Sequence, residues 1–174
     1  MALRKASSYS KKKVRPYTRK SSKRKKSFIK AVPPNKIVKF NMGNNKIKRK
    51  YLVKMITEEK VQIRDNSLES CRTSINKAME KVAPGNYYFI IKVFPHHILR
   101  ENKIAAGAGA DRLSSGMRHS FGVTAGRAAI TKKGKELFLV YCQDEISARA
   151  AKRTMEKVKP KVPCKNRIVF QKIE

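Results

Sequence analysis

The residues best suited to chemistry in this sequence lie between His96 and Gly126. His96 and His97 place two imidazoles side by side, which suggests a metal. Neighbours on a strand point to opposite faces, however, so the pair cannot easily share one ion. No cysteine or carboxylate cluster nearby completes a ligand set. The pair reads instead as one packed and one RNA-facing histidine, and His119 stands alone. Gly107-Ala108-Gly109-Ala110 looks like a phosphate-cradling turn. A dinucleotide fingerprint needs a third glycine, but position 112 is Arg, and no Gly-Lys-Ser/Thr follows for a Walker loop. No cofactor is expected. The small residues read as a flexible connector, or as a place where backbone comes close to a crowded partner. Asp111 reads as a helix cap or a partner for Arg112 rather than a base, and Glu101 is the other nearby acid. Ser114, Ser115 and Ser120 lack a histidine–acid partner at a legible spacing. No catalytic or metal residues are assigned, and the chain is not expected to be an enzyme.

Cys71, Cys142 and Cys164 lie far apart with no C-x-x-C spacing, which argues against a zinc ribbon. Their odd number argues against a disulfide framework and points to a reducing, cytoplasmic compartment. Length and apolar content (174 residues, 40 %) allow one domain with a modest core and an arm. The longest apolar run, 87–95, is interrupted by Lys92 and falls well short of the roughly 20 residues a spanning helix needs. The N-terminus MALRKASSYSKKK has no apolar segment after its charges, so no secretory signal is read there.

Charge narrows the function further. Forty-three Lys and Arg against 12 Asp and Glu leave a net +31. Such a chain repels itself and binds polyanions, so acidic substrates, anionic membranes and nucleic acid are the realistic partners. Residues 1–57 hold 20 basic residues and no acid; residues 58–174 hold 23 basic and 12 acidic. The segment 1–30 reads as a basic arm that cannot bury enough apolar surface to order by itself. Its best phosphate contacts are Arg4, Arg15, Arg19, Lys23, Arg24 and Lys26, with Tyr9 and Tyr17 as stacking candidates. The alternatives are a solvated tail and, for 23–26, a nuclear import signal. A second basic stripe, Arg149, Lys152, Arg153 and Lys157, falls opposite an apolar helix face and reads as RNA-facing rather than merely solvated.

The remaining elements must position these groups. Segments 36–41 (KIVKFN) and 51–57 (YLVKMIT) read as two strands joined through Gly43-Asn44-Asn45. Asn66, with Glu69 three residues on, reads as the cap of a helix whose apolar positions are Leu68, Cys71, Ile75, Ala78, Met79 and Val82. Pro84-Gly85 ends it, and 87–94 (YYFIIKVF) is the strongest strand. Residues 104–110 read as a mobile loop. Asp111 is expected to cap a short helix with Leu113, Met117 and Phe121 on one face. Segments 127–132 and 136–142 read as a hairpin around Lys133-Gly134. Asp144 caps a second helix with Ile146, Ala150 or Ala151, Met155 and Val158 on one face. Residues 167–172 form a last strand. Together these elements predict an α+β domain over 31–174: a mostly antiparallel or mixed sheet with two main helices on one face.

Phe94-Pro95-His96-His97-Ile98-Leu99-Arg100-Glu101-Asn102-Lys103, then Ala108-Gly109-Ala110-Asp111-Arg112-Leu113, Gly116-Met117-Arg118 and Phe121-Gly122, closely resemble the L-sixteen/L-ten-e family of large-subunit ribosomal proteins. Further matches are Met1-Ala2-Leu3-Arg4, Arg15-Pro16-Tyr17-Thr18-Arg19, Val32-Pro33 with Lys36-Ile37, and Val61-Gln62-Ile63-Arg64. The resemblance covers essentially the whole chain and is nearest the archaeal-type branch. It implies a two-layer α/β-hammerhead-type domain and a structural role in the large ribosomal subunit, against 23S-type rRNA near the aminoacyl-tRNA site. It also implies a loop, here 102–115, that reaches toward the peptidyl-transferase centre and tRNA. On that basis Lys103, Ile104, Ala105, Ala106, Gly107, Ala108, Gly109, Ala110 and Asp111 are the tRNA-proximal residues. Arg100, Lys103, Arg112 and Arg118 hold the loop's base against RNA. Neighbouring large-subunit proteins and assembly factors are implied partners, the latter through a role in late maturation; no membrane and no obligate homo-oligomer are implied. Departures from the family are a lysine-rich insertion at 21–27 and Gly122-Val123-Thr124-Ala125-Gly126-Arg127 in place of its usual glycine–lysine–proline run. A free nucleic-acid-binding regulator or nucleoid-type protein would explain the charge equally well but not the loop motif.

Counterion release makes one expectation quantitative. Binding of the isolated chain to rRNA, titrated across a salt series, should lose on the order of one unit of log–log slope per phosphate contacted. A salt-independent affinity would contradict the charge argument.

Overall fold

Alternating side-chain direction builds the main sheet. In the computed structural model the described residues are 16–18, 23, 25, 29–102, 104–105, 107–109, 112 and 116–173. The strands are β1 (Asn41–Gly43), β2 (Tyr51–Thr57), β3 (Val61–Arg64), β4 (Tyr87–Ile91), β5 (His97–Glu101), β6 (Val123–Thr131), β7 (Glu136–Cys142) and β8 (Asn166–Lys172). The helices are α1 (Asp65–Val82) and α2 (Glu145–Val158). Every second residue of β2, β4 and β7 points to one face: Val53 and Met55, Phe89 and Ile91, Phe138 and Val140. Both helices pack there, α1 through Leu68, Cys71, Ile75 and Met79, α2 through Ala148, Ala151, Met155 and Val158. Each fully buried Leu, Ile, Met or Phe contributes about 1.5–3 kcal/mol, so this layer supplies most of the stability.

The architecture is α+β with two helices on one face of antiparallel strands, as the sequence predicts. It has two sheets where the sequence predicts one. Five strands run in the order β1-β4-β7-β2-β8, and three in the order β3-β6-β5, with antiparallel pairings throughout.

Several local expectations are corrected. Segment 36–41 is irregular up to β1, which pairs with β4 rather than β2. Both edges of β2 are taken by β7 and β8, so no ladder is left for it. Segments 127–132 and 136–142 do not form a hairpin, because β6 and β7 belong to different sheets. The turn at Lys133-Gly134 carries the chain between them, held by the buried Thr57, whose hydroxyl donates to the Lys132 carbonyl at 2.8 Å. β6 starts at Val123, and β4 ends at Ile91 rather than Phe94. β5 extends the strand on which His97 sits as far as Glu101, and β3 is a further strand, only four residues long, whose Val61, Gln62, Ile63 and Arg64 are all buried.

Arg64, not Asn66, stands at the α1 cap position, and Glu69 is held by Arg72 at 2.6 and 2.8 Å instead of closing a capping box. Asp144 does occupy the α2 cap position, but only its backbone carbonyl is used, accepting from the Ser147 hydroxyl and the Ala148 amide. Ile146 is 79 % exposed; Ser147 and Ala148 take the inward place instead. Where a short helix is expected after Asp111, Arg112 is helical and Gly116–His119 forms a 3-10 turn with Met117 exposed; Asp111 and Leu113 lie outside the described residues.

Gly43 lets the chain leave β1 at φ +82°, and a Cβ there would sit 2.3 Å from the Tyr87 carbonyl oxygen. Gly43→Ala should therefore lower unfolding stability by at least the roughly 1–3 kcal/mol of a strained backbone position. Urea denaturation checks this; an unchanged midpoint would disprove the close approach.

Candidate nucleic-acid interface

A row of hydrogen bonds fastens part of the basic segment to the domain. β5 is an edge strand of the three-stranded sheet, so its outward amides need partners. The Ile98 amide donates to the Tyr17 carbonyl at 2.7 Å. The Tyr17 amide donates to His97 Nδ1 at 3.0 Å. A backbone amide can only donate, so Nδ1 accepts and a neutral His97 ring carries its proton on Nε2. His97 is 2 % exposed and His96 is half-buried, so one packed histidine and a more open neighbour are what the strand presents. Further along, Ile29 is buried, and Arg127 Nε donates to the Pro33 carbonyl at 2.7 Å.

Side chains extend this seam into an aromatic clamp. The Arg100 guanidinium carbon lies 4.2 Å from the Tyr17 ring centre and 3.4 Å from that of Phe121. The two rings meet edge to face at 5.6 Å. Arg100 Nη1 also donates to the Phe121 carbonyl at 3.0 Å. The cation thus joins three parts of the chain: the 16–18 segment, the end of β5 and the segment entering β6. Such contacts contribute about 0.5–2 kcal/mol each, more as water is excluded.

The same region forms the neck of the 102–115 loop. Asn102 Nδ2 donates to the Gly116 carbonyl at 3.3 Å. Gly122 has φ +74°, and a Cβ on it would lie 2.6 Å from the Glu101 carbonyl carbon and oxygen. Only glycine fits that approach, so residues 101–102 and 116–122 are held together. Beyond the neck, Gly107, Ala108 and Gly109 are exposed, Ala105 is half-buried and Ile104 is 60 % exposed. Arg112 and Arg118 are exposed beside it.

The sequence-assigned residues are therefore distributed unevenly. Tyr17 and Arg100 meet in the clamp, and Lys23 is exposed. Arg4, Tyr9, Arg15, Arg19, Arg24, Lys26, Lys103, Ala106, Ala110 and Asp111 lie outside the described residues. Arg149, Lys152, Arg153 and Lys157 are exposed on α2, away from its packed face, and Arg149 pairs with Glu145. Sequence reasoning missed Phe121 as a clamp residue. Its signal was present as an aromatic next to a glycine, but only the fold brings it to Arg100.

Chemistry of another kind is little supported. Burial pushes the Cys71 thiol up to about 12, and Cys142 and Cys164 to about 11, so all three stay protonated and poorly nucleophilic at neutral pH. Hydrogen bonding from Arg72 holds the Glu69 carboxyl below its usual range, as expected of an ion pair rather than a base. Among the described residues no three His, Cys, Asp or Glu gather in a metal-holding group, and no helix is long and apolar enough to cross a membrane.

Comparison with known proteins adds an independent line. Residues 15–169 match the family described as ribosomal protein L16p/L10e. The chain is 42 % identical over 173 residues to a large ribosomal subunit protein uL16 of Methanococcus maripaludis, covering 99 % of this chain and 96 % of that one. It is 39 % identical over 159 residues to the protein of the same name from Archaeoglobus fulgidus (91 % and 87 % covered). For that of Staphylothermus marinus it is 40 % over 175 residues (100 % and 97 %).

Removing the clamp should loosen the arm without unfolding the domain. Arg100→Ala is expected to raise hydrogen exchange at the Ile98 amide several-fold while exchange in β2 and β7 stays unchanged. Equal exchange in variant and wild type would show that the clamp does not hold the 16–18 segment.

Proposed function

This chain belongs to the ribosomal protein L16p/L10e family, and on that premise we propose that it docks on 23S-type rRNA near the aminoacyl-tRNA site, its 102–115 loop directed toward the peptidyl-transferase centre and tRNA. As a member of that family it is a ribosomal protein of the large subunit, working in translation within the cytoplasm. The observation that carries the finer reading is the closed neck of the loop. Loop contacts on tRNA need a rigid base, because a freely pivoting loop loses whatever it gains to ordering entropy. Here Gly122, Asn102 and the Arg100 clamp supply that base. Small residues beyond it leave room for a nucleic-acid backbone to approach closely.

The division of labour follows from the charge. Residues 1–30 act as an arm whose cations neutralise phosphates as they enter RNA: Arg4, Arg15, Arg19, Lys23, Arg24 and Lys26. Tyr9 offers a stacking ring. Tyr17 is half-buried in the clamp, so its part is to fix where the arm leaves the domain. Arg112, exposed within the loop, and Arg118, exposed just after it, face the RNA that surrounds its base, together with Lys103. Neighbouring large-subunit proteins are further partners, and maturation factors would meet the same loop during late assembly.

Deleting 103–110 separates the loop from the rest. The shortened chain should fold and dock on the subunit nearly as the full one does, because the neck and core are untouched, yet its subunits should accommodate aminoacyl-tRNA and elongate markedly more slowly. Normal elongation by such subunits would rule the loop assignment out.

A further inference from the structure

The helices cover one face of the five-stranded sheet; the opposite face has its own pattern. Register places Tyr88, Tyr141, Leu52 and Gln171 in one row across β4, β7, β2 and β8, all directed away from the helices. The next row is Ile90, Leu139, Lys54 and Val169. These side chains are mostly half-buried; Gln171 is exposed and Leu139 nearly covered. At one end of this face Tyr88 and Tyr141 lie side by side, ring centres 6.4 Å apart and 25° from parallel. The Arg49 guanidinium sits over both, 5.3 and 4.9 Å from the two centres. Its Nη2 donates to Asn45 Oδ1 at 2.6 Å, which holds the cation over the rings.

We propose that this outer sheet face is a stacking platform for an unpaired stretch of RNA, with Tyr88, Tyr141 and Arg49 as its floor. The proposal rests on the ribosomal reading above and adds a contact surface distant in sequence from both the arm and the loop. Three observations choose RNA over another protein. The rim is cationic, with Lys46, Lys48, Arg49 and Lys50 exposed along one connection and Arg167 and Lys172 exposed on β8. The acid on the face, Glu136, is matched by Lys54 at 3.7 Å, so the surplus has no local counter-charge. The polar–aromatic floor suits bases, whose flat faces stack on tyrosine rings and on arginine guanidinium planes. The platform is also firmly mounted: the Lys50 carbonyl accepts from the Ile173 amide at 2.7 Å, fastening the 44–50 connection to the end of β8. An unpaired base would lie on the Tyr–Arg floor, and the phosphates on either side of it would meet the lysine rim.

The test uses large subunits reconstituted with the full chain. Hydroxyl-radical footprinting of Tyr88 and Tyr141, free and after incorporation, is paired with ultraviolet cross-linking and peptide mass spectrometry. The proposal expects both tyrosines to be protected in the subunit and to yield nucleotide adducts. It also expects Arg49→Ala, an exposed change that leaves the core intact, and Tyr88→Leu with Tyr141→Leu, which keeps apolar bulk but removes the rings, to weaken binding of a 2-aminopurine-labelled single-stranded RNA roughly tenfold or more. Tyrosines equally reactive in the free chain and in a subunit that carries it would overturn the platform and leave the ribosomal reading standing. So would lysine-directed cross-links from Lys48 or Lys50 to another protein with no nucleotide adduct on the tyrosines. A chain that fails to sediment with the large subunit would remove the ribosomal reading and the platform together.

Discussion

An uncompensated positive charge constrains everything else in this molecule. With 43 basic side chains and 12 acidic ones, internal ion pairing cannot neutralise the chain. Pairs such as Lys54–Glu136 and Arg149–Glu145 lie at the surface, where each is worth at most about 1 kcal/mol. Fold stability must therefore come from apolar contact, and the core reflects this: it is a layer of Val, Ile, Leu, Met, Phe and Ala between one sheet face and two helices. Cations are left on the rims, on the outer face of α2 and in the N-terminal segment. A partner of opposite charge is thus part of the complete structure in a physical sense, since it removes the self-repulsion the isolated chain must bear.

The three-stranded sheet serves a different end from the five-stranded one. The five-stranded sheet and its helices form the mass of the domain; the smaller sheet supplies an edge and a neck. Along the edge of β5 the backbone of Tyr17 is bound strand-fashion, and at its end Arg100 sits between two aromatic rings. That arrangement turns a soft junction into a defined one. The 16–18 segment and the neck of the 102–115 loop meet the body at neighbouring points, both beside Arg100 and Phe121.

Aromatic–cation contacts recur at two places: Arg100 with Tyr17 and Phe121, and Arg49 with Tyr88 and Tyr141. Each sets a guanidinium against the faces of two aromatic rings. In a protein so poor in acids, ring faces are the available neutral partners for guanidinium groups. The first site holds two chain segments together. The second leaves its rings and cation on an open face.

Some features could be read from residue order alone because they depend on local periodicity. The α1 stripe Leu68, Cys71, Ile75 and Met79 is buried as its spacing demands, as are Ala151, Met155 and Val158 of α2, and the α+β class follows from such segments. The basic arm and the glycine-bearing loop motif are likewise visible in composition and in resemblance to a family. What only the tertiary structure decided was who pairs with whom. β1 joins β4, and β6 parts from β7, because ladder partners are allotted by competition among strands distant in the chain. Val61–Arg64 is a strand whose apolar–polar alternation spans only four residues, and the fold buries Gln62 and Arg64 along with Val61 and Ile63. Tyr17, Arg100 and Phe121 are separated by 83 and 21 residues, and no local rule relates them. Their meeting depends on long-range closure, which a one-dimensional pattern does not encode.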